Sequence, residues 1–254
     1  MAGLLVALHF SILGVAQEWL GKPFNQWSKA EAEKVLNDSP WVRNQEVLIK
    51  HAGRSTSVAG GTNPAVGQGG LLRSEGNTAT LGGARAPVDF TFTLRLRSAL
   101  PIREALVRLK QIDAHYDQLS EKDRAAVDAK LKGLLDCPAC ADNYVLTLSS
   151  RSKEEPGADA VYTVFAAAKV DDIKRYITVA NERGEHRALV HFAPPRVPGE
   201  EATFFFPRLD EKGVPLFTAA SKELLFNITN NEVNIITNFK VDLSKLVVKG
   251  KLEF

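Results

Sequence analysis

The chain has 254 residues, among them 32 basic and 30 acidic residues and two cysteines, and its formal net charge is +2. The charges are interspersed along the chain, which excludes the clustered basic face of a typical nucleic-acid-binding protein. Two cysteines do not make a disulfide framework, so the fold must depend on an apolar core, which a chain of this length can bury without covalent help.

The first sixteen residues have the pattern of a secretory signal peptide. They contain no charged side chain and are apolar from Leu4 to Val15. This run of roughly 12 residues is shorter than the ~20 that a membrane-spanning helix needs. Small residues precede the expected cleavage point after Ala16, although the usual basic residue before the apolar run is absent. We therefore predict a secreted or periplasmic protein with no stable membrane anchor after cleavage.

A short helix and a group of tryptophans follow the signal segment. Ser28, with Glu31 three residues later, has the capping-box pattern that begins a helix, and we predict this helix from Ser28 to Asn37. The chain has three tryptophans, all in this part: Trp19, Trp27 and Trp41. Their indole faces could contact a ligand such as a glycan, whereas buried aromatic side chains are more often anchors of a core.

The chain divides by composition into three parts after the signal segment. Residues 17–50 carry the helix and a predicted strand from Val42 to Lys50. Residues 51–87 hold nine of the eighteen glycines, and this composition is typical of a flexible loop. The Gly-rich part lacks the Lys-Ser/Thr ending of a Walker A loop and the flanking strand and helix of a dinucleotide-binding fingerprint. Residues 88–254 resume regular patterning, and we expect residues 17–254 to form one domain.

A strand and two helices are predicted at the start of this third part. Apolar and polar residues alternate from Val88 to Arg97, which is typical of a strand with one buried face. Pro101 suits the first turn of a helix that carries apolar residues as far as Tyr116. Ser120 suits the N-cap of a second helix, which leads to the cysteines. Together the two helices should form a hairpin that covers one face of a sheet.

The remainder is predicted to be mainly β, with one ambiguous segment. Residues 144–149 read as a strand, and residues 158–170 fit a helix or a strand, of which we favour the helix. Three hairpins are then expected, pairing 175–180 with 187–192, 203–208 with 214–217, and 223–229 with 233–243 through Asn230-Asn231. The predicted fold class is α+β: an antiparallel β-sheet or sandwich of hairpins with the helical hairpin packed on it.

The Cys137-Pro138-Ala139-Cys140 segment is the only recognised reactive spacing. It allows a structural disulfide or a redox-active pair. The segment follows a predicted helix and precedes a strand, and the C-terminal end of a helix dipole disfavours a thiolate, so we favour the structural disulfide. A zinc site would need two more ligands; His186 and His191 lie at a spacing that no common zinc motif uses.

No catalytic residue and no cofactor are predicted. The chain has no Gly-x-Ser-x-Gly elbow and no His-Glu-x-x-His motif, and it has no isolated cysteine nucleophile. The adjacent acids Glu200 and Glu201 are interpreted as solvated loop residues.

The sequence resembles a group of uncharacterised exported bacterial proteins. The resemblance rests on short pieces: the helix from Trp27-Ser28 to Ser39-Pro40-Trp41, Phe205-Phe206-Pro207-Arg208, and Val248-Lys249-Gly250-Lys251-Leu252-Glu253-Phe254. It implies an exported bacterial protein of a single domain and no particular activity.

The sequence supports two functional hypotheses. The first is an exported non-enzymatic binding or structural module whose partner is a protein, a glycan or a small ligand, bound on the sheet or in a cleft near the tryptophans. The second is an extracytoplasmic thiol-disulfide oxidoreductase that uses Cys137 and Cys140. A helix that begins at Cys137 with an exposed sulfur would favour the second hypothesis.

Overall fold

A computed structural model describes residues 21–49, 88–230, 235–248 and 251–254 of the chain. Three expectations fall on residues that lie outside this part: the signal peptide at 1–16, the position of Trp19, and the flexible loop at 51–87.

The fold is α+β and contains two antiparallel sheets, as the sequence predicts. The strands are β1 Val42–Ile49, β2 Val88–Leu96, β3 Asn143–Ser152, β4 Ile177–Asn181, β5 His186–Ala188, β6 His191–Ala193, β7 Ala202–Pro207, β8 Glu223–Asn230, β9 Ile235–Asp242, β10 Val247–Val248 and β11 Lys251–Leu252. The order is β1-β2-β3-β7-β6 in the five-stranded sheet and β5-β4-β8-β9 in the four-stranded sheet. Strands β10 and β11 form a separate pair.

The α-helices connect or flank these strands. They are α1 Lys29–Asn37, α2 Leu100–Asp113, α3 Glu121–Asp136, α4 Ala139–Asp142, α5 Ala160–Phe165 and α6 Val170–Ile173, and 3-10 turns span Phe24–Gln26, Tyr116–Gln118 and Leu243–Leu246.

The capping box predicted for the first helix is confirmed. Ser28 Oγ accepts from the N–H of Glu31 at 3.3 Å, and the N–H of Ser28 donates to Glu31 Oε2 at 2.7 Å. These two bonds satisfy amides that the first helical turn leaves without partners. The helix then places Val35 and Leu36 in the core.

The alternation in β2 separates two faces of the five-stranded sheet. Phe92, Leu94 and Leu96 are fully buried toward the space between the sheets. Arg95 points to the opposite, outer face, because successive side chains of a strand alternate, and Arg97 lies in the turn directly after β2. Strand β3 follows the same rule, since Leu146 pairs with Leu96 on β2.

The helical hairpin is confirmed, but only its first helix enters the core. Ile102 and Ala105 of α2 are fully buried, and α2 packs against α1 and α3. Ser120 caps α3 by accepting from the N–H of Asp123 at 3.2 Å, as predicted. No residue of α3 is buried.

The segment 158–170, for which the helix was favoured, contains two short helices rather than one. Asp159 caps α5 by accepting from the N–H of Tyr162 at 3.0 Å, and Phe165 at its end is buried. The chain then turns and forms the single turn of α6.

The prediction of a single strand at 187–192 is wrong, because this segment contributes a separate short strand to each sheet. Strand β5 pairs with β4, with Ala188 opposite Thr178, whereas β6 pairs with β7, with His191 opposite Phe205. Buried Leu189 lies at the step between them.

The strand predicted at 214–217 is also wrong. Only an isolated bridge between Leu209 and Pro215 forms there. Proline has no N–H to donate to a ladder, and Asp210 Oδ1 accepts from the N–H of Val214 at 2.8 Å, which holds the segment in a turn.

The last hairpin is confirmed, and it encloses the core from the other side. Thr237, Phe239 and Val241 of β9 are buried, as the alternation predicts. Asn230 is paired with Ile235, so the predicted turn residue Asn230 still belongs to β8; Asn231 lies outside the described residues. At the other edge of this sheet, β5 continues into β6, so the two sheets are joined there.

Candidate functional site

Trp27 and Trp41 lie in the core rather than on a ligand-binding surface. Their exposed fractions are 1% and 0%. The Nε1–H of Trp41 donates to Glu253 O at 2.7 Å, and Trp27 O accepts from Arg108 Nε at 2.7 Å. The rings therefore anchor α1 and β1, which is the usual role of large buried aromatics.

Cys137 and Cys140 form a disulfide at the end of α3. Cys137 caps the C-terminus of the helix with a left-handed φ of 46°, and the Cα atoms of the two cysteines are 5.3 Å apart. Cys140 is 7% exposed, whereas Cys137 is partly exposed. After Pro138 comes only the single turn of α4, and β3 follows at Asn143. Cys137 therefore ends a helix, as the sequence predicted, and does not begin one.

Two arginines hold the backbone on either side of this disulfide. Arg103 Nη1 donates to the carbonyls of Leu135 and Asp136, the second at 3.1 Å, and so satisfies acceptors at the end of α3. Arg208 Nε donates to Cys140 O at 2.9 Å. The disulfide segment is thus fixed to α2 and to the end of β7.

A cavity of about 770 Å³ lies on the outer face of the five-stranded sheet. Its floor consists of Arg97, in the turn after β2, and of outward-facing side chains on β3, β6 and β7: Val145, Thr147, Ala193, Thr203 and Phe205. One wall is the end of α3 with Gly133 and Cys137. The opposite wall is the loop between β6 and β7.

The charged side chains around this cavity are paired, with one exception. Glu201 accepts from Arg95 Nη1 at 2.5 Å, and Arg95 also donates to Leu36 O at 2.7 Å. Glu200 lies 3.6 Å from Arg196 Nε and accepts from the N–H of Arg196 at 2.7 Å. Arg97 makes no side-chain hydrogen bond or ion pair with the described residues. One guanidinium therefore supplies the net positive charge of the site.

The surroundings of the Arg97 guanidinium have opposing effects on its pKa. Burial lowers the pKa of the Arg97 guanidinium below its ordinary value, Glu201 raises it, and nearby Arg103 and Arg95 lower it further. An arginine in a protein keeps its proton even so. A cation that is partly removed from water and lacks a partner attracts an anion more strongly than a solvated one does.

Thr147 adds an unpartnered hydroxyl to the floor of the cavity. Its side chain is 2% exposed, and its Oγ1 has no hydrogen-bond partner within the described part of the chain. A buried polar group without a partner costs free energy unless water or a ligand bonds to it. Thr147 is opposite Arg95 on β2, and Arg97 lies in the turn directly after that strand. Both residues line the cavity.

A second, smaller cavity of about 390 Å³ lies between α2 and α3. Asp128 bridges its walls, accepting from Tyr116 Oη at 2.6 Å and from Gln111 Nε2 at 2.9 Å. The hydrogen bond to Asp128 raises the pKa of the Tyr116 hydroxyl. These bonds join the two helices, which explains the polar groups here without a ligand.

The two histidines considered for the alternative of a zinc site lie in separate elements. His186 and His191 belong to different sheets, the His191 ring lies 4.9 Å from that of Phe205, and the two cysteines bond to each other. Among the described residues, no group of three or more His, Cys, Asp or Glu side chains is placed to hold a metal ion. Nor does any described helix have the length and apolarity to cross a membrane.

The sequence does not single out Arg97 or Thr147, and it reads Glu201 as solvated. The alternation of polar and apolar residues indicates that these side chains are on the polar side of their segments. It cannot show that α3 and the β6–β7 loop flank that side.

Comparisons with known proteins identify no relative: no protein-family model, no curated protein and no solved structure matches the chain. The resemblance to exported bacterial proteins therefore stays a prediction.

Proposed function

We propose that the protein is a non-enzymatic binding module that takes a small ligand in the cavity on the outer face of the five-stranded sheet. The observation that carries the proposal is the cavity itself, about 770 Å³ with an apolar floor and a few polar groups. Binding sites for small molecules typically have volumes of about 300–1,000 Å³ and combine apolar walls with a few polar groups that orient the ligand.

The chemistry around the cavity favours binding over catalysis. Its two lining carboxylates, Glu200 and Glu201, are held by arginines, so neither is free to act as a base. The described lining contains no histidine, serine or lysine. Its remaining polar side chains, Arg97, Thr147 and Thr203, can donate hydrogen bonds that orient a ligand.

We also propose that the module is exported. The apolar run from Leu4 to Val15 supports export, and so does the disulfide between Cys137 and Cys140, because disulfides persist mainly in oxidising compartments.

A thiol-disulfide oxidoreductase is the second candidate, and one observation favours it: partly exposed Cys137 lines the cavity. Two others weigh against it. Cys137 ends α3, where the negative end of the helix dipole disfavours a thiolate, and Cys140 is buried.

Titration with N-phenyl-1-naphthylamine, a neutral fluorescent probe of apolar cavities, tests the binding function. We expect saturable binding of one probe per chain. A Gly133→Phe variant should weaken it about tenfold, because the added ring occupies the cavity. A Cβ at Gly133 meets no atom within 4 Å, so the variant can fold.

The matched control is Ala129→Phe, one helical turn earlier on α3, at the smaller cavity. It should leave probe binding unchanged. Absence of saturable binding, or equal loss in both variants, would overturn the proposal.

Insulin-disulfide reduction distinguishes the second candidate. A binding module should have no such activity above that of dithiothreitol alone. Activity that disappears in Cys137→Ser would establish the oxidoreductase instead.

A further inference from the structure

We propose that the ligand of this cavity is a monocarboxylate with an apolar body, whose carboxylate binds Arg97 and accepts a hydrogen bond from Thr147. This inference rests on the proposed binding function and names the class of ligand.

The first step is the charge of the site. Glu201 is neutralised by Arg95 at 2.5 Å, and Glu200 is neutralised by Arg196. Arg97 alone remains, so the cavity presents one positive charge that no described residue balances. A ligand with one negative charge balances it and leaves no charge without a partner.

The second step is the arrangement of donors. Thr147 on β3 is opposite Arg95, and Arg97 lies two residues after Arg95, in the turn that follows β2; both residues line the cavity. The long arginine side chain allows the guanidinium to approach a group on the neighbouring strand. The planar guanidinium can donate two parallel hydrogen bonds to a carboxylate. Thr147 Oγ1, buried and without a described partner, supplies a further donor.

The third step excludes a dianion as the preferred ligand. A phosphate group carries up to two negative charges, and the site balances only one of them. Among the described lining residues, no further unpaired cation is present to balance the second charge. Burying a charge without a partner costs free energy, so a phosphate should bind less well than a carboxylate.

The fourth step concerns the rest of the ligand. Beyond Arg97, Thr147 and Thr203, the floor is formed by apolar side chains, namely Val145, Ala193 and Phe205. Covering them with an alkyl or aryl group removes apolar surface from water, which favours binding. An amphipathic carboxylate can bind the donors through its carboxylate group and cover the apolar side chains with its apolar body.

The experiment compares acids with their neutral amides on the full chain. Octanoate and octanamide form one pair, 4-phenylbutyrate and 4-phenylbutanamide another, and inorganic phosphate is a separate probe; each is titrated by calorimetry. We expect each acid to bind about tenfold or more tightly than its amide, since a hydrogen bond to a charged group exceeds a neutral one by such an amount. Phosphate should bind more weakly than either acid.

Variants then assign the preference to its residues. Arg97→Gln should remove the preference for acid over amide, and an unchanged circular dichroism spectrum and melting temperature would show that the variant is folded. The control is the double variant Arg196→Gln/Glu200→Gln, which removes a balanced ion pair from the cavity rim and keeps the net charge, so it should keep the preference. Thr147→Val should weaken acid binding several-fold, whereas Thr237→Val, which also replaces a buried unpartnered threonine but away from the cavity, should not.

The outcomes separate the two proposals. If the amides bind as tightly as the acids, or if Arg97→Gln keeps the preference, the inference is wrong while the binding function stands. If phosphate binds more tightly than the acids, the ligand class is wrong. If neither the acids, the amides nor N-phenyl-1-naphthylamine bind, the binding function itself fails.

Discussion

Replacement of Phe254 by alanine should destabilise the protein markedly, although this residue is distant in sequence from the residues that it contacts. Phe254 is 7% exposed. Its ring stacks on Tyr144 of β3 at 4.9 Å between centroids and meets Phe217 at 5.5 Å. Arg208 covers another part of the Tyr144 ring, 4.6 Å from its centroid.

The magnitude follows from these contacts. A buried phenylalanine replaced by alanine typically costs 3–5 kcal/mol, which includes the cavity left behind. We expect the lower value, about 3 kcal/mol, because the short segment 251–254 can shift to fill part of the space. For a chain of this size the melting temperature should fall by roughly 6–12 °C.

Urea denaturation followed by circular dichroism measures this loss. Phe254→Leu should lose only about half as much, because it keeps most of the buried volume and gives up the ring contacts. Leu209→Ala, at a 52% exposed side chain, is the control and should change the free energy of unfolding by less than about 0.5 kcal/mol. A Phe254→Ala protein that melts within about 1 °C of the unchanged chain would refute the reasoning.

Three further predictions concern caps and buried hydroxyls. Hydrogen bonds from Lys22 and then from Ser28 lower the pKa of Glu31 from 4.5 to about 2. The ionised carboxylate therefore contributes stability that is fully present above pH 4.5 and is lost as the pH falls towards 2. In urea denaturation across this pH range, Glu31→Gln should lose less stability on acidification than the unchanged chain. Ser120→Ala should cost about 1 kcal/mol by differential scanning calorimetry, since it removes the cap of α3. Thr237→Val should leave the melting temperature unchanged or raise it, because the buried Oγ1 has no described partner to lose.

The sequence predicts best those elements whose pattern is local. The cap at Ser28, the alternation of β2 and the cap at Ser120 each depend on residues within one or two turns, and all three are confirmed. The fold class follows from the same alternation. The errors arise where tertiary structure intervenes, as at residues 187–192, which divide between two sheets.

The candidate site was less predictable for the same physical reason. Cys137 was recognised from its spacing, and the structure bears out the pairing with Cys140. The role of Arg97 depends on which neighbouring charges find partners, and Arg95 and Glu201 are 106 positions apart. No local pattern reports such a pairing. Trp27 and Trp41 show the converse, because these conspicuous residues are buried in the core.

The passage of one segment from the four-stranded sheet to the five-stranded sheet has a mechanical consequence. Only Leu189 and Val190 separate β5 from β6, and the Val190 N–H is already bonded to Phe205 O at 3.0 Å. The connection between the two sheets at this point is short and hydrogen-bonded. We therefore expect a displacement of Ala193 at the cavity floor to reach β5 and, through its pairing, β4. Hydrogen exchange in β4 should thus report on occupancy of a cavity that β4 does not touch.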